Sequence, residues 1–472
     1  MPDQAPKSKT RRNLLIGGGA AIAAGAAAAV HFKPWYRPLG ANSDIRLGIA
    51  GLGGKGLDHT NHFADIPGCR ITAICDPDPN QITRNFKDGP LKADAVTTYS
   101  DFRKLIEDKE VDAIVIASPN HWHALMGVWA MEAGKHVYVE KPIAHSIWEG
   151  QLLIDAAAKH QRIAQSGTQR RSDEAYHEAA AWLSEGHIGK ITSAHAVVFR
   201  QRKAVTRRKT PTPMPAGIDY DHWCGPAPKE ELYRSKLHYD WHWHWNTGNG
   251  ELGNNGIHFL DVARIVLGES GLPNSATSIG GRLGWGDDAG ETPNSHLTMF
   301  DYKVPLLAQI RNLPIGTGEK ESKAMDNLSG IREGLVIHCE GGTLAWPKAK
   351  DSDGKTLKKF DSQDGHGHRV NWLKAIADDR PQDLNAPLTE GHISSALCHL
   401  GNASHRAGQT MPAEEITKAF KATPSASTAL ESLITHLGKN GIDLEKDQLT
   451  IGPPTGVEDA NAKSTFRAPY KL

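Results

Sequence analysis

The stretch IRLGIAGLGGKG, residues 45–56, decides the fold of the first half of the chain. A short apolar run leads into Gly51-x-Gly53-x-x-Gly56, and a helix-compatible segment follows, which is the order of the dinucleotide-binding fingerprint. In that fingerprint the first glycine allows a tight turn, the second lets backbone amides approach a pyrophosphate, and the third lets helix and strand pack closely. We therefore predict a pyrophosphate site at the N-terminus of the helix.

A second predicted strand, residues 70–75, ends next to Asp76, twenty residues after the last glycine of the fingerprint. A carboxylate at this position accepts hydrogen bonds from the adenosine ribose hydroxyls. It also repels a 2′-phosphate, and no Arg or Lys follows it immediately, so Asp76 favours NAD over NADP. The alternative is a glycine-rich turn beside an unrelated Asp, because a chain with 47 glycines contains GxGxxG by chance.

Length and charge limit the classes of protein. The 472 residues suggest two domains with additional segments. Lys+Arg and Asp+Glu both number 54, so nothing indicates binding to nucleic acid or to an anionic membrane surface. The five cysteines match neither a metal-binding spacing nor a disulfide framework, and no metal is expected.

The N-terminus differs in composition from the rest of the chain. RRNLL, residues 11–15, resembles the twin-arginine export signal, and a Gly- and Ala-rich apolar run extends to residue 30. Residues 1–30 are therefore predicted to be a signal peptide, which makes the protein periplasmic or otherwise exported, without stable membrane insertion beyond the signal. A disordered basic tail beside an N-terminal helix is the alternative. Residues 31–43 are predicted to be a linker or arm.

From residue 44 to 166, apolar strands alternate with helical segments, which is typical of a doubly wound parallel sheet. The predicted strands are residues 46–50, 70–75, 113–117, 136–139 and 162–166; the predicted helices are 101–109, 125–133 and 146–160. Two strands end in polar residues, PNHWH at 119–123 and EKP at 140–142. In an open parallel sheet, ligands bind at the carboxyl ends of the strands.

Three motifs, AGLGGKG, ASPNHWH and VEKP, in this order and at these spacings, resemble the Gfo/Idh/MocA oxidoreductase family. The likeness covers residues 45–408 and implies an α/β fold. It consists of an N-terminal NAD-binding Rossmann domain (44–166) and a C-terminal α/β domain (167–451) with a large, mostly antiparallel open sheet. The tail, 452–472, is predicted to be irregular.

The fingerprint and the resemblance together give the predicted cofactor site. Lys141 is implied to lie beside the nicotinamide and the substrate hydroxyl. Asn120 and His121 are implied to line the cofactor cleft. The predicted cofactor-binding residues are Gly51, Leu52, Gly53, Gly54, Lys55, Gly56, Asp76, Ser118, Asn120, His121, Glu140 and Lys141.

The stretch GNGELGNNGIHFLD, residues 248–261, matches a glycine-rich turn that in the family opens a helix with an inward Asp and, four residues later, a His. Here His258 matches the His, but Asn254 stands at the Asp position. Residues four apart share a helix face, so both side chains are expected to reach one ligand. An amide cannot act as a base, so Lys141 and His258 are the predicted acid–base groups, with Asn254 beside them.

The aromatic stretch at residues 238–245, HYDWHWHW, allows three interpretations. In an extended strand, His242 and His244 would share a face and could bind a metal, although no third ligand is recognisable. Alternatively, the stretch is an aromatic-rich core strand. The functional prediction is a sugar-binding surface formed by Tyr239, His242 and Trp243, together with Asn254 and His258.

These predictions lead to three hypotheses of function. The first is an NAD-dependent oxidoreductase acting on a sugar or sugar derivative by hydride transfer, with NAD held tightly because an exported protein has no NAD pool to exchange with. The second is an NAD-dependent glycosidase that transiently oxidises C3 of the sugar, eliminates the C1 substituent and restores the hydride. The third is an exported sugar-binding protein with structural NAD. A small carbohydrate is the expected partner, and a homo-oligomer the expected assembly.

Overall fold

The computed structural model describes residues 44–471 except 364, 366, 421, 422 and 447. The predicted signal peptide and linker therefore lie outside the described residues. In the described part of the chain, no helix is both long and apolar enough to span a membrane.

The first sheet has six parallel strands in the order β3-β2-β1-β4-β5-β6. They are β1 (Ile45–Ala50), β2 (Cys69–Cys75), β3 (Thr97–Tyr99), β4 (Ala113–Ile116), β5 (His136–Val139) and β6 (Ala164–Ser166). The order reverses between β1 and β4, and in such sheets ligands bind in the crevice at this switch point. The helices of this half are α1 (Gly54–Ala64), α2 (Pro79–Asp88), α3 (Phe102–Glu107), α4 (Asn120–Glu132) and α5 (Ile147–His160).

Helix α4 begins five residues before its predicted start at residue 125. Pro119 caps it in an extended conformation, and Asn120 begins the helix directly after it. Its first turn, NHWH, is buried although three of its four residues are polar, so an apolar pattern in the sequence does not mark this start.

The second sheet has ten strands in the order β14-β13-β12-β11-β7-β10-β9-β8-β16-β15. Only the β7–β10 pair is parallel. This sheet and the parallel one confirm the predicted fold class. The strands are β7 (Ile191–Phe199), β8 (Ala276–Gly281), β9 (Ser295–Phe300), β10 (Leu306–Arg311), β11 (Glu333–Cys339), β12 (Gly342–Ala345), β13 (Lys348–Asp351), β14 (Thr356–Lys359), β15 (Gln409–Met411) and β16 (Leu449–Ile451).

Helices from the second half of the chain pack on both faces of this sheet. One face carries a core with α6, α8 and α10, and the other carries α11 and α12. The helices are α6 (Glu174–Ser184), α7 (Tyr220–Cys224), α8 (Ile257–Leu267), α9 (His368–Asp378), α10 (Leu388–Arg406), α11 (Ala413–Ala419), α12 (Pro424–Lys439) and α13 (Val457–Ala460).

Three segments of the second half return to the parallel sheet. Trp372 and Leu373 of α9 are fully buried among side chains of β1, β2 and β5. The segment 216–242 lies beside the carboxyl ends of the parallel strands, where Asp219 N donates to Pro77 O at 2.9 Å. The tail beyond residue 452 contains one helical turn, α13, and packs against α4 through Tyr470, so it is not wholly irregular.

Candidate active site

A cavity of about 550 Å³ lies at the carboxyl ends of the parallel strands. Its walls come from the glycine loop after β1, the ends of β2, β4 and β5, the segment 216–242, and the turn before α8. This is the crevice position expected for a nucleotide in a doubly wound sheet.

The glycine loop has the shape that a dinucleotide needs. Gly51 has φ +84°, and a Cβ there would lie 2.5 Å from Ser118 N. A Cβ on Gly56 would collide with Gly51 O, so both positions require glycine. In contrast, a Cβ on Gly53 or Gly54 would meet open space, and both residues line the cavity at the N-terminus of α1. The loop therefore has room for a pyrophosphate against the helix amides.

Asp76 lies at the end of β2 and lines the cavity. Its two carboxylate oxygens accept hydrogen bonds from the backbone amides of Leu52, at 2.7 Å, and Asp78, at 2.9 Å. Burial raises the pKa of Asp76 to about 6 despite these two hydrogen bonds. Leu52 is itself buried and contributes its amide to this contact rather than a side chain to the cavity.

Lys141 extends from the end of β5 to the turn before α8. Its Nζ donates to the backbone carbonyl of Asn254 at 2.6 Å, and both residues line the cavity. Burial lowers the pKa of Lys141, while the neighbouring charge of Glu140 opposes that shift. A lysine in such surroundings gives up its proton more readily than one in water, as a general base requires.

The turn that carries Asn254 is a π-helix, Leu252–Gly256, which continues into α8. Asn254 and His258 both line the cavity with Lys141, so the structure brings the three predicted catalytic residues together. His258 Nδ1 is buried and has no hydrogen-bond partner among the residues that the structure describes. Burial and the charge of Lys141 lower the pKa of His258 well below its usual value, so the ring is neutral at pH 7.

Glu140 and Lys55 form the side of the cavity nearest the glycine loop. The Lys55 Nζ lies 3.7 Å from Glu140 Oε1 and 2.9 Å from Asp58 Oδ2. His59 contacts the same Glu140 oxygen at 2.9 Å. Burial alone would raise the pKa of Glu140, but Lys55, His59 and Lys141 outweigh it, and the pKa falls well below its usual value.

The end of β4 contributes Ser118 and Asn120 to the cavity wall. His121 does not line the cavity, which corrects its predicted contact with the cofactor. Its Nε2 lies 3.2 Å from Trp223 O, and the side chain is almost fully buried behind the wall. Its neighbour His123 lines the cavity instead.

The stretch 238–245 is not a strand, because Asp240–Trp243 forms a 3₁₀ turn. Tyr239 and His242 line the cavity, and their contact with a substrate stays a prediction. Trp243 does not: it packs with Val205 and Ala289, which corrects its predicted contact with the substrate. The turn also sends His242 and His244 to different partners, Tyr239 O at 2.6 Å and Glu291 Oε1 at 3.4 Å.

Sequence reasoning missed several cavity residues. Trp241 lines the cavity and stacks on His242 with ring centroids 3.6 Å apart. A strand alternation puts Trp241 and Trp243 on one face, whereas the 3₁₀ turn separates them, with Trp241 in the cavity wall and Trp243 in the core. Others that no local motif marks include Phe102, Gln169, His222 and Trp223.

The segment 216–242 covers the adenosine side of the cavity. His238 Nε2 lies 2.7 Å from Asp78 Oδ2, and Arg103 Nη2 lies 3.0 Å from His222 Nε2. The tail holds this segment from outside through Arg467, which pairs with Asp221 at 2.8 Å. We refer to residues 216–242 as the cover segment.

The fold and the cavity define a two-domain dinucleotide-binding protein. The model of an oxidoreductase family with an NAD-binding Rossmann fold matches residues 45–168, and the model of its C-terminal α/β domain matches residues 185–279. Residues 45–168 and 185–279 thus match the models of the two domains of the Gfo/Idh/MocA oxidoreductase family, and the first match is to its NAD-binding Rossmann domain.

Curated relatives match part of the chain. A glycosyl hydrolase family 109 protein of Shewanella woodyi is 34% identical over 125 residues, which are 25% of this chain and 27% of that protein. An inositol 2-dehydrogenase of Salmonella typhimurium is 31% identical over 187 residues, 38% of this chain and 54% of that protein. The chain thus spans between about a quarter and about half of the length of these relatives.

Solved structures share the fold over more of the chain. The WlbA dehydrogenase of Bordetella pertussis, in complex with NADH and UDP-GlcNAcA, covers 75% of this chain and 94% of its own, with TM-score 0.54 and 20% identity. A putative oxidoreductase of Klebsiella pneumoniae covers 83% and 99%, with TM-score 0.52 and 18% identity. At these identities the likeness establishes the fold alone.

Proposed function

We propose that this protein is an NAD-dependent oxidoreductase that acts on an alcohol carbon of a sugar or sugar derivative and keeps its NAD bound between turnovers. The observation that carries the proposal is the position of Lys141. Its amine lies in the same cavity as the glycine loop and is anchored to Asn254 O at 2.6 Å. NAD bound there supplies the hydride acceptor and donor.

The protein residues supply the proton chemistry. Lys141, with its pKa lowered by burial, takes the proton of the reacting hydroxyl. His258 is neutral and lines the cavity, so its ring can form a hydrogen bond with a substrate oxygen. Its Nδ1 is buried and has no hydrogen-bond partner among the described residues. An unpaired buried polar atom costs free energy unless a ligand satisfies it. This cost favours a hydroxyl-bearing ligand at that position.

The far wall of the cavity suits a sugar. Trp223, Tyr239 and Trp241 provide aromatic surface, and Gln169 and His242 provide hydrogen-bonding groups. Aromatic faces pack against the C–H patches of a polyol, and the polar groups fix its orientation. The names of the relatives, an inositol dehydrogenase and a glycosyl hydrolase, support this substrate class.

Retention of NAD is supported by the cover segment. It lies over the ends of β2 and α3, where the fingerprint places the adenosine, and the tail holds it there through Arg467. Release of the adenosine half would require these contacts to break. A retained cofactor also suits export by the twin-arginine route, which we propose from RRNLL at residues 11–15.

Glycoside cleavage through transient oxidation is the second candidate. It needs one group to remove the proton at C2 and another to protonate the leaving group, in addition to the base at the oxidised hydroxyl. His242 and Tyr239 line the cavity with Lys141 and His258, which gives enough proton-carrying groups for this chemistry. The 34% identity to a glycosyl hydrolase family 109 protein supports it further.

The test begins with the purified folded protein and needs no added cofactor. Denaturation should release close to one NAD(H) per chain. The protein is then incubated with a C–H-deuterated sugar alcohol and an unlabelled ketose. Transfer of deuterium between them supports hydride exchange. Release of the aglycone from an aryl glycoside, with solvent deuterium at C2, supports the glycosidase. Bound NAD with neither reaction would favour the sugar-binding protein.

A further inference from the structure

A buried chain of polar groups connects α9 of the second half to the residue beside Lys141. Arg369 Nε donates to His59 Nδ1 at 3.2 Å, and His59 Nε2 lies 2.9 Å from Glu140 Oε1. Arg369 also pairs with Asp58 at 2.7 Å. His59 has no exposed surface, and Glu140 has almost none.

The geometry defines the tautomer of His59. Because Arg369 is only a donor, Nδ1 must be the accepting nitrogen, and Nε2 therefore carries the hydrogen that is donated to Glu140. Burial lowers the pKa of His59 to about 4, which is consistent with this neutral form. The two contacts together hold the carboxylate in one orientation.

In that orientation Glu140 holds the backbone of Lys141 and places a negative charge beside its side chain. Glu140 Oε2 accepts from the Lys141 backbone amide at 3.1 Å, and a Cβ on Gly167 would lie 2.9 Å from the same oxygen. The carboxylate is thus enclosed on the side of Gly167 and fixed beside the lysine. Its negative charge favours the ammonium form of Lys141 and limits the effect of burial.

We propose that Arg369 and His59 are positioning residues for proton transfer: Arg369 fixes His59 as a donor to Glu140, and Glu140 so held sets the protonation of Lys141. The proposal rests on the proposed function, in which Lys141 exchanges the substrate proton. It adds a residue from α9, far along the chain, to a site built from the glycine loop and the end of β5.

Other titratable groups share these surroundings. Those facing Glu140 or His59 are Lys55 and Asp58 of α1, Tyr138 of β5, and His368 and Arg369 of α9. Those facing Lys141 from other elements are His123, His242, Glu251, His258 and Cys398. The His59 variants leave all of these groups in place, so a change in Lys141 reports on the loss of the His59–Glu140 hydrogen bond.

The test measures the protonation of Lys141 directly. The full-length protein, as purified, is acetylated briefly with acetic anhydride across a pH series, and mass spectrometry of the Lys141 peptide gives the pH midpoint of reactivity. For His59→Leu we expect this midpoint to fall by about one pH unit, because the unsupported carboxylate favours the ammonium less. His59→Gln, which can still donate to Glu140, should restore it.

Arg369→Met provides the second variant if His59→Leu does not fold. Without that donor, the His59 ring can turn or change tautomer, so Glu140 loses its fixed donor and the midpoint should also fall. Arg380→Met, which removes an exposed arginine paired with Asp383 at 2.6 Å, is the matched control and should leave the midpoint unchanged.

An unchanged midpoint in folded His59→Leu or in Arg369→Met would overturn the proposal. A shift that His59→Gln fails to restore would also contradict it, since lost volume would then explain the effect. The readout needs no substrate, so failure of the proposed function appears separately, as wild-type protein with a normal Lys141 midpoint and no hydride transfer.

Discussion

The two ends of the cavity are built in different ways. At the end where we propose that the nicotinamide binds, Lys141, Glu140 and His258 lie on a strand end and a helix, held by short buried contacts such as the 2.6 Å bond to Asn254 O. At the adenosine end, the wall is the part of the cover segment around Asp221, His222 and His238, held by polar contacts to Asp78, α3, α4 and the tail.

This difference separates the residues that carry out proton transfer from those that retain the bound cofactor. Groups that exchange protons must be fixed to within a fraction of an ångström, and packed regular structure provides that precision. A segment that admits a cofactor must be able to detach, and partly exposed contacts allow this. We therefore expect variants at the two ends to have separable effects on turnover and on cofactor exchange.

The largest effect should follow from changing the nicotinamide end. Lys141→Ala should lower turnover at least about a hundredfold, the usual scale for a lost general acid–base group, while NAD stays bound. Turnover and NAD content per chain are measured together. Lys104→Ala, which removes an exposed lysine of α3, is the control and should change neither. Near-normal turnover in Lys141→Ala would show that this lysine is structural.

A variant of Asp76 tests whether the adenosine ribose binds at the end of β2. Asp76→Ala removes an acceptor for the ribose hydroxyls and a charge that repels a 2′-phosphate. It should weaken NAD binding roughly tenfold to a hundredfold, the range for a hydrogen bond to a charged group, and improve NADP tolerance. Titration with both cofactors measures the ratio. An unchanged preference would remove Asp76 from the site.

The tail should affect exchange without affecting chemistry. Arg467→Ala combined with Tyr470→Ala releases the cover segment from outside and should speed exchange of bound NAD about tenfold, as expected for the loss of roughly 1.4 kcal/mol of contacts. Exchange is followed with isotopically labelled NAD. Lys463→Ala, in the same tail but over Trp148, should leave the rate unchanged. Equal rates in all three proteins would contradict a retaining role for the tail.

The smallest effect concerns pH. Because burial raises the pKa of Asp76 to about 6, the carboxylate gains a proton as the pH falls through 6 and accepts hydroxyl donors less well. NAD affinity should therefore drop severalfold between pH 7 and pH 5. Asp76→Asn, which does not titrate, should bind weakly at both pH values. A wild-type affinity independent of pH would contradict the assignment.

The first domain and the core of the site were predictable, because local patterns encode them. The glycine loop, Asp76 and the EKP motif each lie at the end of an apolar run, and the order of runs gives the parallel sheet. The 3₁₀ turn at Asp240–Trp243 was not predictable, since alternating His and Trp suit a strand equally well. Contacts such as Arg369 to His59 join residues 310 positions apart, and no local pattern marks them.

The central claim is that the protein completes its reaction without exchanging NAD. The most direct measurement is turnover of the purified protein, with no added cofactor, in the presence of a sugar donor–acceptor pair or a glycoside. We predict many turnovers per chain, with no accumulation of reduced nicotinamide absorbance at steady state. Strict dependence on added NAD, with one NADH released for each substrate oxidised, would contradict the account.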